Sequence, residues 1–263
     1  MRLFGLEDRW TTVEGNRVYA RVGEAGGAPR PAIVLLHGVG LSSRYMVPLA
    51  RHLRRHLDVY ALDFPGFGWS GKSREPPTVQ EQADDLRKWM DAVGLRHASL
   101  LGNALGSQVA IDFAYRFPER VDKLVLTGAS PDPRSRNVAR LYSWQLMNMP
   151  FEPPPMQLIY MLDTMQTGIV RMLKTMDRTC DDPIETKLPS IRAETLVIRG
   201  KYDQVVPQSW AEYITHLLPR GKLVVVDRAA HCAHFSRAAQ VARLTMELVL
   251  AQTTQRTATQ PAA

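Results

Sequence analysis

The chain has 263 residues, of which 45% are hydrophobic, and its formal net charge is +7. At this length a domain buries roughly three quarters of the surface that its unfolded chain exposes, so one large core is feasible. The opening MRLFGLEDRW has scattered charges and no apolar run, so we expect no signal peptide. The apolar runs fall far short of the ~20 residues of a membrane span, and the two cysteines form neither a disulfide framework nor a metal set. We therefore expect a cytoplasmic protein with no membrane contact, no metal and no cofactor.

Basic residues are spread along the chain, and the densest group is RHLRRH at residues 51–56. Leucine alternates with charge there at helical spacing, which is typical of a solvated helix face. The chain has no basic motif interleaved with aromatic residues, so we expect no nucleic-acid partner. The sequence leaves the oligomeric state open between monomer and dimer.

Strands and helices alternate along most of the chain. Two alternating segments, residues 9–15 and 16–24, predict a hairpin with a turn at Gly15-Asn16. Continuous apolar runs, typical of strands buried on both faces of a parallel sheet, then alternate with helical patterns. The strands are predicted over 31–38, 58–64, 97–103, 121–130, 193–200 and 222–227, and the helices over 44–56, 78–95 (ending at Gly94), 106–117, 208–218 and 236–252. This order predicts a mostly parallel central sheet with helices on both faces.

Residues 131–189 interrupt the alternation. They contain the run Pro153-Pro154-Pro155 and seven of the eleven methionines. We predict that this segment, called the lid below, is a helical insertion over one edge of the sheet. The core then comprises residues 1–130 and 190–252, and the polar residues 253–263 are predicted to be a disordered tail.

Chemically distinctive residues follow several predicted strands directly. They are His37-Gly38-Val39-Gly40, Pro65–Ser70, the turn Gly102-Asn103-Ala104-Leu105-Gly106, Asp203 and His231. Sheets of this type place their ligands outside the carboxyl ends of the strands. The sequence therefore predicts one site that combines a tight glycine turn, an acid and a histidine, in that chain order.

These motifs resemble those of the α/β-hydrolase superfamily, and in particular its serine esterases. The nucleophile elbow of that family is G-x-S-x-G, followed in the chain by an acid and a histidine. Residues 102–106 match the elbow except that Ala104 stands at its tip. Asp203 in GKYDQVVP matches the acid turn, and His231 in AAHCAHF matches the histidine turn. HGVG resembles the oxyanion loop, and DFPGFGWSG resembles the glycine-rich loop of the family.

The resemblance implies a role for each position. A serine at the tip would attack a carbonyl carbon after His231 took its proton, and Asp203 would orient the imidazole. The backbone N–H groups of Val39 and Leu105 would form the oxyanion hole. Because Ala104 has no hydroxyl group, this chain is expected to be inactive or strongly impaired as such an enzyme.

Other residues compete for these roles. Asp132 follows the strand 121–130, where some relatives carry their acid, but the turn around Asp203 ends in Val-Pro before a helix, as in most of the family. Asp227 is interpreted as a turn or salt-bridge residue. Ser107 lies inside the predicted helix rather than at the tip, which disfavours it as a substitute nucleophile. Cys232 is interpreted as a small buried residue.

In this fold the apolar faces of a lid usually roof the pocket, and methionine side chains adapt to irregular shapes. We therefore expect a small-molecule substrate in a roomy, mostly apolar cavity under the lid. The residues predicted to contact the substrate are Gly38, Asn103, Trp144, Met147, Met161, Met165 and His234.

Three interpretations of Ala104 remain open. In the first, which we favour, the chain is a serine hydrolase in which alanine replaces the nucleophile, an inactive form suited to trapping substrate. In the second it binds a ligand without cleaving it. In the third the pair His231–Asp203 acts as a general base without a nucleophile. A carboxylic ester, including large apolar esters and lactones, is the leading substrate class. Asn103 beside the tip is similar to the elbow of C–C bond hydrolases, which form the alternative class.

Overall fold

A computed structural model describes residues 2–3, 5–24, 30–72, 75–129 and 131–251. The predicted tail, residues 253–263, lies outside the described residues.

Nine strands of the described chain form one sheet, in the order β1-β2-β3-β5-β4-β6-β7-β8-β9. The first three strands and the β3–β5 pair are antiparallel, whereas every pair from β5 through β9 is parallel. The strands are β1 (Arg2–Leu3), β2 (Leu6–Val13), β3 (Asn16–Gly23), β4 (Ala32–Leu36), β5 (Asp58–Leu62), β6 (Ala98–Asn103), β7 (Val121–Thr127), β8 (Glu194–Gly200) and β9 (Gly221–Val226).

Alternate residues of the central strands enter two separate apolar cores. In β4, Val34 and Leu36 pack into one core, while Ile33 and Leu35 pack into the other, and all four are fully buried. This is the period-2 geometry of a strand that is covered on both faces. The predicted fold class is confirmed.

Nine α-helices accompany the sheet in the described residues. They are α1 (Val47–Leu53), α2 (Val79–Ala92), α3 (Leu105–Arg116), α4 (Val138–Asn148), α5 (Pro154–Thr167), α6 (Ile169–Cys180), α7 (Gln208–Leu217), α8 (Ala233–Ser236) and α9 (Ala238–Leu250). Helices α2, α3 and α7 contribute to the core that holds Val34, and helices α1, α8 and α9 contribute to the core that holds Ile33. None of them is both long and apolar enough to cross a membrane.

Local chemistry explains several element ends. Thr78 and Glu81 form a reciprocal capping box at the start of α2. Gly94 follows α2 with φ +75°, as predicted for its C-terminal glycine. The hairpin turn, however, lies at Glu14-Gly15 rather than at the predicted Gly15-Asn16. Glu14 and Gly15 both have positive φ. Two successive positive φ values are the requirement of a type I′ two-residue hairpin turn, and Asn16 is already paired in β3.

One predicted helix is shorter than expected. The pattern over 44–56 becomes a 3-10 turn, Ser43–Met46, followed by α1, which ends at Leu53. Arg55 and His56 beyond it are exposed, while Leu53 is buried in the core. Arg51, Arg55 and His56 therefore face solvent, as the charge pattern predicts, whereas Arg54 is only partly exposed and its Nε is buried.

The lid residues hold α4, α5 and α6 between β7 and β8. Their outward face is unusually apolar. Nine large hydrophobic side chains between residues 146 and 170 are 43% to 73% exposed, among them Met147, Met161 and Met165. The two acidic residues of this stretch, Glu152 and Asp163, are buried instead.

Candidate active site

Ala104 sits at the sharp turn between β6 and α3. Its φ of 49° and ψ of −114° are strained for a residue with a side chain. The flanking glycines make the turn possible. A Cβ on Gly102 would lie 2.3 Å from the carbonyl carbon of Gly106, and one on Gly106 would lie 2.1 Å from the carbonyl oxygen of Leu36. The backbone therefore has the geometry of a nucleophile elbow, with a methyl group at its tip.

His231 and Asp203 are brought together from two loops that follow β9 and β8. Nδ1 of His231 lies 3.0 Å from Oδ2 of Asp203, and both residues are buried. The other carboxylate oxygen, Oδ1, accepts the backbone N–H groups of Val205 and Val206 at 2.8 and 2.9 Å. Asp203 is thus held by its own turn while its second oxygen faces the imidazole. Nε2 of His231 is the ring nitrogen that Asp203 does not bond.

Electrostatics favour the charged form of this imidazole. Burial lowers the pKa of His231, but the neighbouring carboxylate of Asp203 and, further away, that of Glu152 outweigh it, so the pKa is raised above 6.5. An acid that stabilises an imidazolium in this way is what general-base catalysis by histidine requires.

The loop after β4 is held by His37. Its Nδ1–H donates to the carbonyl of Gly38 at 2.8 Å, and its Nε2 accepts the N–H of Phe64 at 2.9 Å. Burial lowers the pKa of His37 to about 4, so the ring is neutral and this tautomer is set by its two partners. His37 therefore braces the predicted oxyanion loop.

Asn103 and Tyr45 connect that loop to the elbow. The buried Tyr45 hydroxyl accepts the N–H of Gly38 at 2.7 Å and donates to Oδ1 of Asn103 at 2.9 Å. The amide nitrogen of Asn103 donates to the carbonyls of Thr127 and His231 at 3.2 and 3.3 Å. Asn103 thus ties the elbow to the histidine turn. The N–H groups of Val39 and Leu105 have no hydrogen-bond acceptor among the described residues.

These groups border one cavity under the lid. From the core, its wall includes Ala104 and His231, the predicted substrate contacts Gly38 and Asn103, and the predicted oxyanion-hole residues Val39 and Leu105. From the lid, six residues line it: Leu141, Gln145, Tyr160, Met172, Met176 and Thr179. The wall is mostly apolar, as predicted.

The prediction of a roomy cavity is wrong. The internal volume is about 50 Å³, space for a few water molecules. Pockets that hold small ligands usually measure roughly 300–1,000 Å³. Met172 and Met176, 1% and 5% exposed, fill the space instead. A substrate larger than a few atoms therefore requires the lid or these side chains to move.

The structure does not bring the predicted lid contacts to this cavity. Met147, Met161 and Met165 are 60%, 52% and 73% exposed, and neither they nor Trp144 belong to the cavity wall. The reason is the orientation of the helices. One stripe of α5 is exposed and faces away from the core; it is formed by Leu158, Met161, Leu162 and Met165. The apolar periodicity of this helix therefore led to the wrong prediction of which side chains contact the substrate.

His234 is also absent from the wall of the cavity. It is fully buried, and its ring packs edge-on against Tyr45 with the ring centroids 4.6 Å apart. Neither ring nitrogen has a hydrogen-bond partner among the described residues.

The competing residues have other partners. The carboxylate of Asp132 pairs with the guanidinium of Arg134 at 2.6 Å, and that of Asp227 pairs with Lys201 at 3.1 Å. The buried hydroxyl of Ser107 lies 2.9 Å from the carbonyl of Gly102 and 3.1 Å from that of Thr127, so it faces backbone rather than the cavity.

Sequence reasoning missed two buried polar residues of the lid, Asn148 and Glu152. Glu152 Oε1 accepts the N–H of Cys232 at 2.8 Å, and Asn148 Oδ1 accepts the N–H of Gln204 at 3.2 Å. A lone Glu and Asn within an apolar stretch were the only sequence signal. That signal does not reveal which distant turns they contact.

Comparison with known proteins agrees with this architecture. A family model described as the alpha/beta hydrolase fold matches residues 31–158, and one described as TAP-like protein matches residues 174–259. The fold and these two matches define an α/β-hydrolase architecture with an insertion between β7 and β8. The chain therefore has the α/β-hydrolase fold, and both matched segments are similar to α/β-hydrolase sequences.

Curated relatives are similar over most of their length. The chain is 26% identical to a putative carbamate hydrolase RutD of Caulobacter sp. strain K31, covering 84% of this chain and 90% of that protein. It is 27% identical to a 2-hydroxy-6-oxononadienedioate/2-hydroxy-6-oxononatrienedioate hydrolase of Burkholderia vietnamiensis, covering 85% and 88%. Among solved structures, a bacterial membrane phospholipase A is 25% identical, with a TM-score of 0.78 and coverage of 94% and 87%.

Proposed function

We propose that the site is that of a serine hydrolase acting on a carboxylic ester or lactone, with alanine at the nucleophile position. The observation that carries the proposal is the backbone of Ala104. Its strained φ of 49° places its methyl group on the same cavity as His231. Such strain costs about 1–3 kcal/mol and persists where a function needs the geometry. Alanine gains nothing from this geometry that a relaxed turn would not provide.

The remaining groups support acyl chemistry. With serine at position 104, Oγ would attack the carbonyl carbon while Nε2 of His231 took its proton, and Asp203 would stabilise the imidazolium. The negative charge on the carbonyl oxygen would be met by the N–H groups of Val39 and Leu105. With alanine no acyl bond can form, so the chain as it stands would bind its substrate and turn it over slowly if at all.

The apolar wall favours an uncharged acyl group. No lysine or arginine belongs to the cavity wall described above, so a dicarboxylate such as that in the name of the Burkholderia relative would have no cationic partner. Burying an unpaired carboxylate is costly. The name of the phospholipase A neighbour, by contrast, denotes an enzyme that cleaves an acyl ester, which agrees with the proposal.

The proposal is tested by Ala104→Ser. We expect this variant to hydrolyse p-nitrophenyl esters and to be labelled by a fluorophosphonate, at a rate at least about 10³-fold above the parent chain. The matched control is Ala104→Ser combined with His231→Ala, which should lose both properties. Absence of hydrolysis and of labelling across short and long acyl chains would sink the proposal.

The pH profile of Ala104→Ser gives an independent check. The base must be neutral, so kcat should rise with pH through the pKa of His231, which lies above 6.5 because of its carboxylate neighbours. Adding Asp203→Asn removes the charge that raises this pKa. The rising limb should then move to lower pH while kcat falls. A limb that stayed in place would show that another group controls the rate.

The intact pair of His231 and Asp203 also supports a second candidate, a general base that acts without a nucleophile. It predicts turnover by the parent chain, abolished by His231→Ala. Turnover that survives this change excludes the candidate. Tight binding of a ligand, with no turnover by either the parent chain or the Ala104→Ser variant, favours a binding protein.

A further inference from the structure

Two buried polar residues of the lid lie four positions apart, at the end of α4 and just beyond it. Asn148 is fully buried and Glu152 is 3% exposed. The side-chain amide nitrogen of Asn148 donates to Oε1 of Glu152 at 2.9 Å, so the two side chains form one unit. We call this unit the lid clamp.

Each member of the lid clamp reaches a different catalytic turn. Glu152 Oε1 accepts the backbone N–H of Cys232, the residue after His231, at 2.8 Å. Asn148 Oδ1 accepts the backbone N–H of Gln204, the residue after Asp203, at 3.2 Å. The turn that presents the base is therefore bonded to Glu152 and the turn that presents the acid to Asn148, and the Asn148–Glu152 hydrogen bond links the two.

We propose that Asn148 and Glu152 are positioning residues that hold the His231 and Asp203 turns in register, so that the imidazole–carboxylate pair is complete only when the lid is seated. Neither residue lines the cavity. They act through the backbone of the turns and not on the substrate. The inference rests on the proposed role of the His231–Asp203 pair, but not on the identity of the substrate.

The chemistry of Glu152 supports a role beyond packing. Its second oxygen, Oε2, is buried and has no hydrogen-bond partner among the described residues. Burial raises the pKa of Glu152, although the bonds from Cys232 and Asn148 oppose this. A buried carboxylate with one unpartnered oxygen is expensive compared with an apolar residue of similar size. Its charge also favours the protonated form of His231.

Coupling to the lid follows from the geometry. The cavity is too narrow for an ester, so entry of substrate requires either the lid or the side chains of Met172 and Met176 to move. A movement that lifts the end of α4 would withdraw the acceptors from Gln204 and Cys232 together. Opening would then loosen the base and the acid at once, and reclosure over substrate would realign them.

The test is made on the parent chain with NMR measurements, which do not depend on turnover. The Nδ1 proton of His231 in its hydrogen bond to Asp203 is followed by proton NMR, and the pKa of His231 by titration of labelled imidazole. Asn148→Ala and Glu152→Ala should weaken or broaden the Nδ1 proton signal. Glu152→Gln keeps an oxygen acceptor for Cys232, so it should preserve the signal but lower the pKa of His231 because the negative charge is gone.

A matched control is Asp163→Asn. Asp163 is another buried carboxylate of the lid, bonded to Ser42 at 2.6 Å and paired with Arg44 at 3.2 Å, and among the described residues it has no hydrogen bond or ion pair to either catalytic turn. It should leave the Nδ1 proton signal unchanged. Unchanged signal and pKa in all three clamp variants would overturn the proposal. If the alanine variants fail to fold, Asn148→Leu and Glu152→Met replace them, because they keep the volume and remove the oxygen acceptors for Gln204 and Cys232. An unchanged Nδ1 proton signal in both would overturn the proposal.

A kinetic arm separates this inference from the proposed function. In the Ala104→Ser background, Asn148→Ala and Glu152→Ala should lower kcat by roughly tenfold to a hundredfold with little change in KM, and Glu152→Gln should recover most of the loss. If Ala104→Ser is inactive on every ester while the NMR changes occur, the proposed function fails and the lid clamp stands. Normal kcat in the alanine variants, with the NMR signal intact, refutes the lid clamp and leaves the proposed function standing.

Discussion

At the scale of single residues, His234 is the least expected feature of the site. It is fully buried beside Tyr45, and both ring nitrogens lack partners among the described residues. Burial, with a smaller contribution from His231, lowers the pKa of His234 to about 3. An unpartnered buried polar group costs about 1–3 kcal/mol, so this ring is retained at the expense of stability.

We therefore expect His234→Phe to raise the free energy of unfolding at pH 7.5 by about 1–2 kcal/mol, since a phenyl ring has no polar atoms to desolvate. Below pH 6.5 the unfolded chain takes up a proton that folded His234 refuses. Stability of the parent thus falls with decreasing pH, by up to about 1.4 kcal/mol per pH unit from this residue.

Urea unfolding of the parent and His234→Phe at pH 7.5, 6 and 5 measures both effects. The variant should lose less stability on acidification, while His37, with its pKa of about 4, keeps a residual acid dependence in both proteins. A variant that is less stable at pH 7.5 and equally acid-sensitive would contradict this account.

At the scale of secondary-structure elements, the lid helices divide their apolar residues between two faces. Tyr160 of α5 and Met172 of α6 face inward, where the Tyr160 hydroxyl lies 3.8 Å from the sulfur of Met172. Met165 of α5 is 73% exposed. The inward methionines, and not the outward ones, therefore set the size of the cavity.

Met172→Ala in the Ala104→Ser background should enlarge the cavity and shift the preference for p-nitrophenyl esters toward longer acyl chains. It should also destabilise the fold by about 2–5 kcal/mol, the usual range for truncating a buried methionine. Met165→Ala is the control, expected to change stability by less than about 0.5 kcal/mol and to leave the acyl preference as it was. Equal effects of the two substitutions would argue that the cavity has been misassigned.

At the scale of the whole molecule, a buried ion cluster joins the end of the lid to the core. Lys187 Nζ contacts Asp112 of α3 at 2.7 Å and also pairs with Asp182. Asp112 in turn binds Arg116 at 2.7 Å. Burial raises the pKa of Asp182 despite the neighbouring Lys187, so the lysine is needed to balance carboxylates that are almost inaccessible to water.

Removing that cation by Lys187→Ala should lower the free energy of unfolding by about 3–5 kcal/mol, because the buried carboxylate of Asp182 loses its paired lysine and that of Asp112 keeps only Arg116. Lys201→Ala removes a solvent-exposed pair with Asp227 and should lower the free energy of unfolding far less, because solvent screens that pair. Denaturant unfolding of both variants at neutral pH measures the difference. Similar losses would show that the cluster is no stronger than a surface pair.

Local signals explain how much of this protein was predictable. Apolar runs and turn residues are properties of short segments, so they indicated the parallel strands, the glycine turn at 102–106 and the end of α2 at Gly94. The hairpin turn was displaced by one residue, and α1 was shortened, because such ends depend on φ values and packing of single residues. The proposed roles of Ala104, Asp203 and His231 stay predictions for the experiments above.

The sequence by itself determined the fold class and the chain order of elbow, acid and histidine, because parallel strands deliver their following loops to the same edge of the sheet. Only the tertiary structure decided which way the lid helices face. Apolar periodicity marks a stripe on a helix but not the side on which a partner lies, so Met165 was expected inside and lies outside. The contacts of Asn148 and Glu152 join residues 56 and 80 positions apart. The narrow cavity and the burial of His234 likewise depend on side chains from distant segments. A local sequence pattern does not specify such long-range contacts.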